Sequence, residues 1–176
     1  MNATIATAAP SFTLPGVDGR DHSLDDYADS SVLVLVQSCN HCPYVRAWEG
    51  RLNAIQQDYA DRGVSVVAIN SNDAASHPGD SFEKMQTRAS EQGFAFDYLY
   101  DADQSIARTL GSKRTPEVFV FDGDRKLVYH GAIDDNRDDT AVAVHYLRDA
   151  LDAALAGTAP PVAETAAVGC TVKWRS

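Results

Sequence analysis

Residues 31–37 read Ser-Val-Leu-Val-Leu-Val-Gln, a run with no polar side chain between its ends. Such a run has no face to offer to water. It predicts a strand buried on both sides, at the centre of a parallel or mixed sheet. The period then changes. Val45, Trp48, Leu52, Ile55 and Tyr59 recur every three or four residues, which predicts an amphipathic helix over 44–59, ended by Arg62-Gly63. Between strand and helix stand Cys39-Asn40-His41-Cys42.

The rest of the chain extends this pattern. Residues 11–14 and 22–24, joined by Pro15-Gly16 and Asp18-Gly19, predict an N-terminal hairpin. A second buried strand is expected over 64–69 and a helix over 80–92, with Gly93 as its stop. A short strand over 94–99 and a short helix over 104–110, ended by Gly111, follow. Strands over 117–121 and 126–130 flank Asp122-Gly123, a hairpin signal. The last helix is expected over 139–156, with Val142, Tyr146, Leu147, Leu151 and Leu155 on one side. This order predicts an α/β fold: a mixed central sheet with helices on both faces, an N-terminal β-hairpin extension and a C-terminal tail. Residues 1–157 read as one domain, and residues 158–176 as a tail packing on it. A chain of 176 residues buries enough core to need no metal or disulfide staple.

Charge narrows the partners. The net charge of -10 repels phosphate backbones, so nucleic acid is not an expected partner. No apolar run reaches membrane-spanning length, so no membrane partner is expected either. The first ten residues are small and polar, without a basic start, and the expected location is the cytoplasm, where structural disulfides are rare. Most acid is Asp, and the only lysines are Lys84, Lys113, Lys126 and Lys173. An Asp-rich, Lys-poor surface suits high salt, where screening removes its self-repulsion.

The cysteines carry the chemistry. Pro43 marks a first helical turn, so both sulfurs of the Cys39–Cys42 pair fall near a helix N-terminus. Free N–H groups and the helix dipole stabilise a thiolate there. A free thiol is a few per cent ionised at neutral pH, whereas one lowered to a pKa of about 6 is about 90% thiolate. His41 adds positive charge when protonated. Stabilising the thiolate favours the reduced form and makes the disulfide the stronger oxidant. As a staple the four-residue ring is worth only roughly 2 kcal/mol and joins nothing distant. Its use is chemical: one cysteine attacks a partner disulfide and the other resolves the mixed disulfide. Two other readings stand beside this one. Cys39, Cys42 and Cys170 with a histidine are potential zinc or copper(I) ligands, although the spacing to Cys170 carries no metal signature. Cys170 is either a bystander in the tail or a second resolving cysteine, whose bridge to the pair would close a loop worth about 5 kcal/mol of chain entropy. The main reading requires neither metal nor cofactor.

Thr115-Pro116 stands immediately before the strand over 117–121. It resembles the Thr–cis-Pro that opens the strand beside the cysteine pair in the thioredoxin superfamily. That resemblance implies a Thr115 backbone free to pair with an extended substrate strand. The likeness is closer than the superfamily. Ala9-Pro10-Ser11-Phe12-Thr13-Leu14, Asp18-Gly19 and Leu24-Asp25-Asp26-Tyr27 resemble the entrance of the alkyl hydroperoxide reductase/thiol-specific antioxidant (redoxin) group. Cys39-Asn40-His41-Cys42-Pro43-Tyr44-Val45 and Ala68-Ile69-Asn70-Ser71-Asn72-Asp73 are similar to its peroxiredoxin-like "thioredoxin family protein" subgroup. So are Gly131-Ala132-Ile133-Asp134-Asp135-Asn136 and Gly169-Cys170-Thr171-Val172-Lys173-Trp174.

The resemblance implies a thiol–disulfide oxidoreductase with Cys39 as exposed nucleophile and Cys42 as the more buried resolver. Asn40, His41, Arg114, Thr115 and Pro116 support the site. Substrates are protein or small-molecule disulfides and thiols, with peroxide as the alternative. Arg114 stands where that subgroup often has a cysteine, which closes any mechanism through that residue. Ser38 stands where thioredoxin carries Trp, and an apolar run replaces its buried Asp, so another base, water or His41 must manage the proton of Cys42. A peroxiredoxin would place a peroxidatic cysteine at this same junction. Cys42-Pro43 fits that pattern, but Cys39 replaces the expected Thr and Pro116 the distant Arg. His22, His77, His130 and His145 read as surface or packed histidines, residues 70–73 as turn chemistry and Asp134-Asp135 as solvated. Trp48 and Trp174 are expected to pack.

Overall fold

The apolar run does form the middle of the sheet. In the computed structural model, which describes residues 3–176, β1 (Thr13–Pro15) and β2 (Asp21–Ser23) make the N-terminal hairpin. β3 (Val32–Ser38) leads into α1 (Pro43–Tyr59), and β4 (Val64–Asn70) into α2 (Phe82–Gln92). β5 (Asp97–Tyr100), α3 (Ser105–Leu110), β6 (Arg114–Thr115), β7 (Glu117–Phe121) and β8 (Leu127–Gly131) follow. α4 (Tyr146–Ala156) and a final short β9 (Cys170–Thr171) complete the chain. The central sheet has the order β5-β4-β3-β7-β8. β3, β4 and β5 run parallel, while β7 is antiparallel to β3 and β8 to β7.

Alternation along β3 divides its side chains between two cores. Val32, Val34 and Val36 face α1, α2 and α4 through Trp48, Leu52, Ile55, Met85, Leu147 and Leu151. Leu33 and Leu35 face α3 and the N-terminal hairpin through Ile106, Leu110, Phe12 and Leu14. The helices lie on both faces, three against one. Full burial of a Leu or Val side chain is worth about 2 kcal/mol, and every residue of β3 is buried, so neither face can be exposed cheaply.

Four boundaries differ from the sequence expectation. The last helix begins at Tyr146, seven residues later than its pattern suggested. The Asp138 carboxylate caps a single turn at Asp139–Ala141, and Asp135 accepts the N–H groups of Ala143 and Val144, so these residues bond to side chains and not to a helix. α2 begins at Phe82 because Ser81 caps it, which leaves Asp80 outside the helix. The next strand starts at Asp97, since Phe94 N–H still bonds the Ala89 carbonyl across the left-handed Gly93. Gln104 also stands outside its helix, with a φ of 64°, and its amide bonds the carbonyls of Ser71 and Lys173.

Two surface expectations are corrected as well. Trp174 is 40% exposed, with the Arg108 guanidinium over its ring. Asp134 is buried, accepting from Trp48 Nε1 at 2.8 Å and Arg51 Nη1 at 2.6 Å, whereas Asp135 is exposed as expected. No helix among the described residues is long and apolar enough to cross a membrane.

Candidate active site

Parallel strands feed their C-terminal ends into loops on one edge of a sheet, and the cysteine pair occupies the loop after β3. Pro43 takes the first position of α1 and Cys42 its N-cap, with the Arg46 N–H bonding the Cys42 carbonyl at 3.0 Å. The turn is held through Asn40, whose groups are all used. Its N–H donates to Asp80 Oδ1 at 2.7 Å and its amide nitrogen to the Gly79 carbonyl at 3.1 Å. Its amide oxygen accepts from the buried Tyr98 hydroxyl at 2.7 Å, and its carbonyl from Arg46 Nε at 3.0 Å.

Asp80 is the residue that sequence reasoning missed. It is fully buried, and its second oxygen accepts from Asn72 Nδ2 at 2.8 Å and lies 2.6 Å from His41 Nδ1. His41 is the exposed side of this pair and stacks on His77 at 5.9 Å. The expected turn after β4 therefore has a larger role. Asn70 and Asn72 both reach Asp80, while Ser71 bonds the buried Asp101. An Asp beside a helix cap is an ordinary sequence feature, and no local spacing distinguishes one that turns inward.

Cys39 is not the exposed sulfur that was expected: it retains 2% of its surface, while Cys42 retains none and is the more buried, as expected. The Cys39 thiol is pushed far up, first by its hydrogen bond to Cys42, then by burial and by the charge of Asp80; Thr115 Oγ1, 3.5 Å away, pulls it back slightly. Cys42 is lowered to about 4. The Cys39 hydrogen bond is the main cause; it acts against burial and is helped by Cys170 and by the N–H of Val45 in the first helical turn. The two opposite shifts share one first cause, the interaction between the two sulfurs.

Cys170 is brought into the site. Its Sγ lies 2.7 Å from that of Cys42, across 128 residues of chain, and all three cysteines are free thiols. Burial, followed by the bond to Cys42, raises Cys170 to about 11. β9 carries it there by pairing antiparallel with β6, Thr115 opposite Cys170. The Thr115 backbone is therefore not free, contrary to what the sequence resemblance implied; the protein's own tail fills that edge. The Thr115–Pro116 peptide is cis, as expected, and Pro116 is buried. Arg114 is exposed and bonds the Gly169 carbonyl of the tail at 3.4 Å. Glu117 positions β6 from within. It is buried and accepts the N–H groups of Lys113 at 2.7 Å and Arg114 at 3.1 Å, with His130 on its other oxygen at 2.6 Å. His22 is packed against Asp18 and Tyr27, and His145 lies exposed before α4.

The metal alternative is also regrouped. The ligand atoms that lie together, within 4.8 Å of one another, belong to Cys39, His41 and Asp80 and not to the three cysteines. Both Asp80 oxygens already accept hydrogen bonds from Asn40 and Asn72.

Comparison with known proteins agrees with this architecture. Residues 5–130 match the model of the AhpC/TSA family. A crystal structure of an uncharacterised conserved protein from Geobacillus kaustophilus superposes with a TM-score of 0.92 at 40% identity, covering 98% of this chain and 93% of that one. A provisionally assigned peroxiredoxin of Mycobacterium tuberculosis is 28% identical over 132 residues, 68% of this chain and 79% of its own. The thiol-disulfide oxidoreductase ResA of Geobacillus thermodenitrificans is 25% identical over 125 residues, 70% of this chain and 66% of its own. The fold is thioredoxin-like, and the relatives divide between peroxiredoxin-like proteins and thiol–disulfide oxidoreductases.

Proposed function

The chain belongs to the AhpC/TSA family, and we propose that within it this protein is a thiol–disulfide oxidoreductase working through Cys39 and Cys42. One observation carries the reading: two buried free cysteines three residues apart, packed together at the N-terminus of a 17-residue helix. Cys42 supplies the sulfur of the pair that enters the mixed disulfide: it bonds to one sulfur of the disulfide presented to it, and the other sulfur leaves as a thiolate. Cys39 then attacks Cys42 in the mixed disulfide, the partner's remaining sulfur leaves, and the Cys39–Cys42 disulfide forms. In this direction the partner gains two electrons and the pair loses two; the reverse course oxidises a partner dithiol, the direction that a stabilised thiolate favours. His41 and Asp80, beside Cys39, offer the acceptor for the proton that Cys39 gives up.

A peroxidase reading has one observation in its favour, the place of Cys42-Pro43 at the start of α1. Among the described residues no arginine donates to the Cys42 sulfur: Arg114 bonds the Gly169 carbonyl and Arg46 that of Asn40. Substrates under the proposal are protein or small-molecule disulfides and thiols. A cytoplasmic setting, where thiols are kept reduced, is part of the same reading, and fractionation of cells producing the protein tests it.

The test is insulin reduction beside peroxide consumption, with dithiothreitol as reductant. The wild type is expected to reduce insulin, and Cys42→Ser to abolish the activity. A wild type without insulin reduction, or a Cys42→Ser protein that retains it, overturns the proposal. Peroxide turnover surviving in Cys39→Ser but not in Cys42→Ser would put the peroxidase reading in its place.

A further inference from the structure

A dithiol that exchanges with outside partners needs a route for them, and this one is closed. Cys39 and Cys42 are buried, and the β6 edge beside them, which an extended partner chain would have to pair with, is occupied by β9. The tail is docked and not merely resting there. Val172 is buried, the Lys173 N–H bonds Asn72 Oδ1 at 2.9 Å, and the Asp73 N–H bonds the Lys173 carbonyl at 2.9 Å. Gln104 holds both the Lys173 carbonyl and the Arg175 N–H. The approach is so close that a Cβ on Gly169 would sit 2.0 Å from the Thr115 carbonyl oxygen. This docking sets Cys170 Sγ 2.7 Å from Cys42 Sγ, and of the three cysteines only Cys170 is partly open to solvent.

Resting on the exchange activity proposed above, we propose that Cys170 is the third sulfur of a relay, passing disulfides between outside partners and the buried Cys39–Cys42 pair. The relay has three steps. Cys170 gives its proton to the Cys42 sulfur 2.7 Å away and attacks a partner disulfide, and a Cys170–partner bond forms as the partner's own bond breaks. The departing partner sulfur takes the proton that Cys170 released. Next, the Cys42 thiolate attacks Cys170; a Cys42–Cys170 bond forms and the partner's second sulfur leaves, taking a proton from solvent. Cys39 then attacks Cys42; the Cys39–Cys42 bond forms and Cys170 returns as a thiol carrying the proton lost by Cys39. The partner has gained two electrons, the pair has lost two, and Cys170 is restored. A dithiol reductant resets the pair by the reverse sequence. Since the second and third steps occur between sulfurs of one folded chain, they need no diffusional encounter.

The test uses the full chain in three variants. After oxidation with diamide and alkylation of free thiols, Cys39→Ser is expected to yield peptides joined through Cys42 and Cys170. Cys170→Ser is expected to close Cys39–Cys42 normally yet to reduce insulin about tenfold more slowly, since the partner then has no open sulfur to meet. Gly169→Ala, added to Cys39→Ser, keeps Cys42 and Cys170 while pushing β9 from β6, and is expected to lose the Cys42–Cys170 bond. A Cys39→Ser protein whose Cys170 remains fully alkylatable overturns the relay, as does a Cys170→Ser protein that reduces insulin at the wild-type rate. A wild type inert toward insulin whose Cys39→Ser form still closes Cys42–Cys170 overturns the exchange activity instead, and keeps the third sulfur in the centre.

Discussion

The carboxylate of Asp80 accepts the backbone N–H of Asn40 at 2.7 Å, so a buried anion from the loop after β4 shapes the turn that carries both cysteines. The same carboxylate lies 2.6 Å from His41 and contributes to raising the Cys39 thiol. Turn geometry, imidazole position and thiol acidity thus depend on one residue outside the cysteine motif.

Asp80→Asn preserves shape but removes the charge and weakens the charge-assisted bonds from Asn40 and Asn72. A loss of about 2 kcal/mol in unfolding free energy is expected, readable by urea denaturation. The Cys39 thiol, freed from the nearby anion, should titrate lower than in the wild type. A Cys39 titration unmoved by Asp80→Asn would remove Asp80 from the chemistry and leave it a structural residue.

Cys42 owes its acidity first to the Cys39 hydrogen bond, so Cys39→Ala should move its titration up from about 4 toward the free-thiol value of 9.0. Cys39→Ser, which retains a donor, should move it less. Thiolate absorbance against pH reads both. The sign carries over to stability. A depressed folded value favours the reduced fold fully above the free-thiol range, and this contribution declines as pH falls toward about 4. An unchanged Cys42 titration in Cys39→Ala would locate the cause elsewhere, in the helix terminus or Cys170.

Burial alone would push Glu117 up, but the His130 bond and the N–H groups of Lys113 and Arg114 outweigh it and hold the carboxyl below its ordinary 4.5. Its share of stability is therefore complete above that value and is lost as pH falls through the lower folded one. The wild type should lose stability on acidification below about pH 4.5, and Glu117→Gln should flatten that part of the curve. Thermal melts from pH 3 to pH 7 compare the two; parallel acid limbs would count against the assignment.

The net charge of -10 on 176 residues is self-repulsion that salt screens, so the melting temperature should rise between roughly 10 mM and 1 M potassium chloride, as the Debye length shrinks from about 30 to 3 Å. A melting temperature indifferent to salt would end the idea of a surface suited to high salt.

Much of the sheet could be read from the chain because its signals are local and repeated. The β3 run and the Val45–Trp48–Leu52–Ile55–Tyr59 spacing each report burial through side-chain period. The α4 boundary could not be read that way. Val142 and Tyr146 keep a helical spacing, yet Asp135 claims the intervening N–H groups across a turn. Asp134 misleads for a related reason: next to the exposed Asp135 it looks solvated, and only the approach of Trp48 and Arg51 makes it a buried acceptor.

At the centre, the sequence by itself determined that two cysteines would stand at a strand-to-helix junction, because the hydrophobic period changes there and Pro43 starts the helix. It also placed a proline-preceded strand beside them. It did not determine that Asp80 would turn inward or that Cys170 would cross 128 residues to meet Cys42. Those outcomes depend on distances between segments remote in the chain. Hydrogen bonding and charge act through space over a few ångströms, whereas sequence pattern reports only what neighbours along the backbone must bury.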